Sequence, residues 1–262
     1  MAKRTTEAIK KALFTAPFLL LLWSAETPAD ACRPTQFDEQ VVVRYVHDGD
    51  TVHLADGRKL RLIGINTPER ARDDRPSEPH AGAARRQLQA HASGYWSLVY
   101  DRERRDRYGR LLAHVFDKEG RNIARRLLED GAGQLLVIPP NLRFLDCYRR
   151  AQQRGRQGRH GLWALPAYRI LAADELDREH GGEYRLVRGR LNRIGESRSA
   201  LWLNLGRGFA LRIARTELDY FDREQISAWQ GEFVTAQGWI YYRNRQWRMR
   251  LRHPAALLEA TD

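Results

Sequence analysis

The feature that most constrains this chain is a strand, turn, strand, turn, strand run between residues 40 and 65. VVVRYVH is β-branched and aromatic, Asp48-Gly49 is a hairpin dipeptide, and TVHL is a short strand. Asp56-Gly57 then turns again, and KLRLIGI reads as one further strand. Pro68, Pro76 and Pro79 mark an irregular loop of mixed charge, and residues 78–93 have helix composition. Residues 95–100 and 111–116 read as strands flanking the arginine-laden DRERRDRYGR. Residues 122–131 read as a helix stopped by glycine, and 142–157 as a second, strongly basic one.

Gly161-Leu162-Trp163 ends this unit, and residues 172–182 are the most linker-like stretch. A second β-rich run follows, with strands expected over 184–194, 200–205 and 209–214. Thr216 is expected to cap a helix bearing Leu218, Phe221, Ile226 and Trp229. Residues 232–242 and 246–253 then form a hairpin across Asn244. Three strands, a helix and two strands is the element order of an oligonucleotide-binding (OB) barrel.

The N-terminus reads as an address. Lys3, Arg4, Lys10 and Lys11 precede the uncharged ALFTAPFLLLLW, which is shorter than the about 20 residues a membrane span needs. With Ala29-Asp30-Ala31 as a cleavage site, residues 1–31 are expected to be a secretory signal peptide and the protein to be periplasmic or extracellular. The alternatives are a buried N-terminal helix and a lipid anchor on Cys32. Cys32 and Cys147 are the only cysteines. Export makes the environment oxidising, and two cysteines without a metal-ligand pattern then most simply pair.

Lys and Arg number 45 against 33 Asp and Glu, a net charge of +12, which points to a polyanionic partner. A hydrophobic content of 42% excludes a wholly disordered basic tail. Charge alone does not separate a nuclease from a DNA-packaging protein or an anionic-membrane binder. The eight histidines show no paired helical spacing, which argues against zinc.

An isolated Asp48-Gly49-Asp50 is ordinarily only a turn. Its neighbours change the reading. A hairpin brings Asp50 beside the end of the strand that carries Arg61, and Glu69 follows Pro68. Carboxylates and backbone oxygens suit a hard cation such as Ca²⁺. Arg61 and Arg110 supply planar forks that match a phosphate. Around a phosphodiester these parts make a hydrolytic site.

At these residues the chain resembles the staphylococcal thermonuclease family, through VHDGDTVHL at 46–54, RLIGINTPE at 61–69 and DRYGRLLAHVF at 106–116. GAARRQL and GRHGLW support the match, which covers about residues 40–165. The resemblance implies a mainly β fold with packed helices: a thermonuclease-type OB-fold barrel of five strands, followed by a second, smaller OB-like barrel. The expected organisation is a signal peptide at 1–31, a thermonuclease-like domain at 32–171, a linker at 172–182 and an accessory barrel at 183–262.

The resemblance further implies Ca²⁺-dependent cleavage of single- and double-stranded DNA and RNA to 3′-phosphate products, with water attacking phosphorus and the 5′-oxygen leaving. Asp50, the Thr67 carbonyl and the residue at position 66 would hold Ca²⁺, with Asp48 supporting them by hydrogen bonds. Glu69 would orient or deprotonate the attacking water, and Arg61 and Arg110 would hold the scissile phosphate. Arg107 and Tyr108 would contact a terminal phosphate. No stable membrane insertion and no obligate protein partner are expected.

The chain departs from the family at two places. The second metal carboxylate is here Asn66, which keeps an oxygen ligand but removes a unit charge. The base-stacking tyrosines expected after the second helix are replaced by QLLVIPP at 134–140. Among the remaining basic residues, the run at 102–107 reads equally as a solvated loop. Arg149, Arg150, Arg154, Arg156 and Arg159 raise local potential more than they read sequence. In the second unit Arg248, Arg250 and Arg252 alternate with Trp247, Met249 and Leu251, while Trp239 and Tyr241 share a face of the partner strand. Such a face is either an ordinary basic exterior or a single-strand binding surface. Three function classes follow: the exported nuclease, a catalytically weak nucleic-acid-binding protein on the same scaffold, and a cationic envelope-binding protein. The last explains the charge but not the motifs.

Overall fold

β1 (Glu39–Val46) is followed by β2 (Thr51–Leu54), β3 (Lys59–Leu62), the short β4 (Ile65–Asn66), α1 (Ala81–Ala90), β5 (Tyr95–Val99) and β6 (Leu111–Phe116). The computed structural model describes residues 32–71 and 75–258; the expected signal peptide lies outside the described residues. Residues 39–42 of β1 pair with β5 and residues 43–46 with β2, with a register shift between Val43 and Tyr45. An extra residue at such a shift bends the strand and lets it serve two edges. With β3 and β6 paired in parallel, the order β1-β2-β3-β6-β5 closes into a barrel. Val46, Val52, Leu54, Leu60, Trp96 and Leu98 lie in its core and are fully buried.

The KLRLIGI run, expected as one strand, is broken. β3 stops at Leu62, Gly64 adopts a φ of +91°, and β4 leaves the barrel to pair with β7 (Gln134–Leu135). A Cβ on Gly64 would lie 2.3 Å from the Tyr148 ring, so both the backbone angle and the space demand glycine. The apolar pattern runs straight through the break and hides it.

α2 (Ile123–Glu129) precedes β7 and is capped by the Asn122 side chain, which accepts from the Arg125 N–H. After β7 comes α3 (Leu145–Gln157). Its Tyr148 is buried with its hydroxyl 2.8 Å from His114 Nδ1 and 3.1 Å from the Asn122 amide that donates to it. The neighbouring Cys147 is disulfide-bonded to Cys32, with Cα atoms 5.5 Å apart.

β8 (Leu171–Ala172) pairs in parallel with β9 (Tyr184–Glu196), so the linker-like stretch is structured at its start, and 3₁₀ turns follow at Ala173–Glu175 and Arg178–His180. β10 (Ala200–Leu205), β11 (Phe209–Ala214), α4 (Arg223–Ala228), β12 (Phe233–Arg243) and β13 (Gln246–Arg250) complete a second barrel, to whose β12 the short β14 (Leu257–Leu258) adds. Its order, β9-β10-β11-β13-β12 closed by β12 on β9, repeats the connectivity of the first barrel, including the parallel pair of third and fifth strands. The mainly β, two-barrel fold is therefore present as expected.

The helix expected from Thr216 is different. Arg215–Tyr220 is a 3₁₀ segment, and α4 begins after Asp222, whose carboxylate accepts from the N–H groups of Glu224 and Gln225. Extended backbone at Phe221 separates the two pieces, although the apolar spacing continues across both. Asn244 and Arg245 form the left-handed turn of the last hairpin.

Candidate active site

The Asp48-Gly49-Asp50 turn joins β1 to β2. Asp48 Oδ1 accepts from the Asp50 N–H at 3.2 Å, the Asx geometry that short acidic side chains favour. Gly49 is required by close approach: a Cβ there would lie 2.7 Å from the Thr67 methyl and 2.8 Å from Ala84 of α1. The turn is thus pressed onto the segment that follows β4. Arg70 Nη1 and Arg85 Nε brace its entry by donating to the carbonyls of His47 and Val46.

Asp50 is the hub. Its Oδ2 accepts from the Thr67 N–H at 2.8 Å and the Thr67 hydroxyl at 3.1 Å, and faces Arg61 Nη2 at 3.0 Å. Its Oδ1 accepts from the Thr51 hydroxyl. Arg61 donates to the carbonyls of Leu62 and Ile65 through Nη1, at 2.8 and 2.7 Å, and to Asn66 Oδ1 through Nη2 at 3.3 Å. The guanidinium is therefore pinned by four acceptors from β3, β4 and the turn. Asp50, Arg61, Asn66 and Thr67 are all buried.

Glu69 has an exposed surface, and its backbone N–H donates to Glu78 at 2.9 Å. Arg110 is half-buried; its Nε and N–H both bind Asp106, and its guanidinium lies over the Tyr108 ring at 5.6 Å. Arg107 stacks on the other residue expected to bind substrate, Tyr108, and donates to its hydroxyl. Tyr108 is 68% exposed, so this pair is presented to solvent.

Burial and the adjacent Asp50 charge push the Asp48 carboxyl up to about 7. Glu69 is also raised, first by lost hydration and then by Asp50, with Arg61 and Arg110 opposing. Carboxylates crowded in this way favour a nearby cation. Among the described residues no group of three or more His, Cys, Asp or Glu is placed to hold a metal. An ion held here would therefore draw on amide, hydroxyl and carbonyl oxygens as well as on Asp50. That all-oxygen donor set beside two mutually repelling buried carboxylates fits a hard cation such as Ca²⁺.

Most other arginines have local duties. Arg104 stacks on Tyr100, Arg105 donates to the Gly109 carbonyl, and Arg154 pairs with Glu129. In the second barrel Trp247 and Met249 are buried while Arg248 lies 4.7 Å over the half-buried Trp202, as the alternation requires. Arg250 is bound bidentately by Glu217. Trp239 is 43% exposed and meets Tyr184 edge-on. Glu78, Arg70 and Arg85 were not evident from sequence: each acts on a backbone group, and no spacing marks such contacts.

A five-stranded barrel whose turn carboxylate is bonded to an arginine and a threonine, with a glutamate and a second arginine nearby, offers the groups that phosphodiester hydrolysis calls for. The Staphylococcal nuclease homologue family model matches residues 59–165. The chain is 29% identical to the thermonuclease of Staphylococcus intermedius over 168 residues, 62% of this chain and 99% of that protein. It is 31% identical to the thermonuclease of Staphylococcus hyicus over 128 residues, 47% of this chain and 74% of that one. Over 127 residues it is 31% identical to endonuclease YncB of Bacillus subtilis, covering 46% of this chain and 60% of that protein. The chain belongs to the staphylococcal nuclease homologue family, and is a hydrolytic nuclease of the thermonuclease type.

Proposed function

We propose that the protein is an exported, Ca²⁺-dependent, sugar-nonspecific nuclease that hydrolyses DNA and RNA, single- or double-stranded, to 3′-phosphate products. The observation that carries this reading is the Asp50 carboxylate bound at once to Thr67 and Arg61, with Glu69 close enough to feel the charges of Asp50, Arg61 and Arg110. Mere binding of a polyanion does not call for that constellation. Asp50, the Asn66 amide oxygen and the Thr67 carbonyl would hold Ca²⁺, with Asp48 supporting, and the ion would supply positive charge against a phosphoryl oxygen.

The chain's own groups do the rest. Glu69, whose carboxyl is raised, takes the proton of the attacking water. Arg110 commits its Nε to Asp106, which orients the terminal nitrogens of its fork for phosphate oxygens. Arg61, held by four acceptors, contributes a fixed positive charge that needs no reorganisation as charge develops. Arg107 and Tyr108 meet a terminal phosphate. Export is supported by the basic start, the short apolar run and the Cys32–Cys147 pairing. The described residues contain no helix long and apolar enough to cross a membrane. In this reading residues 32–171 form the nuclease unit, 172–182 the connector and 183–262 the accessory barrel.

The test is digestion of plasmid, single-stranded DNA and RNA with Ca²⁺ and with chelator, with end-group analysis of products. Arg61→Ala, Glu69→Ala and Arg110→Ala should each lower the rate by at least about a hundredfold, as loss of one preorganised charge-stabilising group does. Full activity in chelator, or a wild-type rate in Glu69→Ala, overturns the mechanism.

A further inference from the structure

β7 is only two residues long, and its pairing with the two-residue β4 is too short to hold itself in water. One edge of β7 faces β4: Leu135 lies opposite Ile65, Gln134 opposite Asn66, and the Leu136 N–H donates to the Gly64 carbonyl. The other edge is buried and, among the described residues, receives no strand. Its polar groups are satisfied by side chains instead. The Leu135 N–H donates to Gln152 Oε1 of α3 at 2.6 Å. The Leu135 carbonyl accepts from the Tyr184 hydroxyl of β9 at 2.7 Å and from Gln237 Nε2 of β12 at 3.2 Å. Gln152 Nε2 closes the ring by donating to Gln237 Oε1 at 3.1 Å. Leu135, Gln152, Tyr184 and Gln237 are all buried, so each unmade bond would carry the full cost of a desolvated polar group.

The far side of β4 leads straight to the reaction centre. The Ile65 carbonyl and the Asn66 amide oxygen are two of the four acceptors that pin Arg61, and Arg61 faces Asp50. Packing along this route is close: a Cβ on Gly133 would lie 2.6 Å from the Asn66 carbonyl. We propose that the second barrel is a working part of the nuclease site, with Tyr184 and Gln237 as positioning residues that hold β7 and, through β4, set the placement of Arg61 and Asn66. This rests on the assignment of Arg61 to the site.

The test uses the full-length mature protein. Tyr184→Phe keeps the ring and its edge contact with Trp239 but removes the hydroxyl; Gln237→Leu removes the second donor. Each should lower kcat about tenfold with KM for DNA changed less than about twofold, the pattern of misplaced chemistry rather than lost binding. In an Arg61→Ala background Tyr184→Phe should have almost no further effect, since residues acting through one another are non-additive. Without any activity assay, hydrogen exchange at the Thr67 and Leu136 amides should quicken about tenfold in Tyr184→Phe while core amides of β2 stay as in wild type. A folded Tyr184→Phe, Gln237→Leu double variant with wild-type kcat and unchanged exchange at Thr67 and Leu136 overturns the proposal. So do losses that simply multiply with Arg61→Ala. A wild-type rate in Arg61→Ala is a different failure, of the site assignment itself, and removes this proposal with it.

Discussion

Asn66→Asp is the most informative single change. Asn66 Oδ1 and Asp50 Oδ2 contact the same Arg61 nitrogen, at 3.3 and 3.0 Å. A carboxylate introduced at position 66 would therefore stand within about 6 Å of Asp50, where like charges repel by about 3 kcal/mol at an effective dielectric of about 20. Position 66 is buried, so desolvation of the new charge adds a further penalty of several kcal/mol, and the shared Arg61 offsets only part. Without metal the variant should melt below wild type. A divalent cation removes the conflict, and calcium sites tune affinity by ligand charge. Calorimetry should show Ca²⁺ binding to the free protein tightened tenfold or more, about 1.4 kcal/mol, and the melting order should reverse in excess Ca²⁺. In wild type a non-cleavable oligonucleotide should itself tighten Ca²⁺ binding, because its phosphate supplies the missing negative ligand. Equal Ca²⁺ affinity in wild type and variant would refute the placement of position 66 in the metal shell.

The disulfide closes a 115-residue separation, which in the chain-entropy model stabilises by about 4–5 kcal/mol; urea unfolding of oxidised protein against Cys32→Ser should show it. Gly64→Ala combines a φ of +91° with a 2.3 Å clash on Tyr148, so it should cost more than about 2 kcal/mol and expose β4 to hydrogen exchange. His114 is held below its ordinary value by burial, so the unfolded chain takes up its proton first and stability falls as pH drops below about 6.5. His114→Asn should flatten that slope by up to about 1.4 kcal/mol per pH unit, read from melting temperatures between pH 7.5 and 5; an unchanged slope refutes the assignment.

What could be read in advance was local. The turn at Asp48-Gly49-Asp50, the alternation in β13 and the succession of strands and helices along the chain depend on neighbours within a few residues, and each leaves a pattern. The break at Gly64 leaves none, because its cause is a partner strand some seventy residues later and the apolar run continues through it. Thr216 looked like a cap because apolar spacing does not distinguish a 3₁₀ segment followed by α4 from one helix. Glu78, Tyr184 and Gln237 escaped for a shared reason: each binds a backbone group, and a backbone group has no letter in the sequence. Side-chain partners at the centre, by contrast, fall within the three blocks that carry the resemblance.

The bond from Gln237 to the Leu135 carbonyl joins groups 102 positions apart. In a chain made from its N-terminus at about 5–20 residues per second, Leu135 precedes Gln237 by about 5–20 s. The seam thus cannot close until Gln237 is made, whatever the folding speed of the first barrel. Where the seam sets the placement of Arg61, catalytic competence waits on Gln237, and a product truncated before that residue carries the nuclease motifs without their alignment.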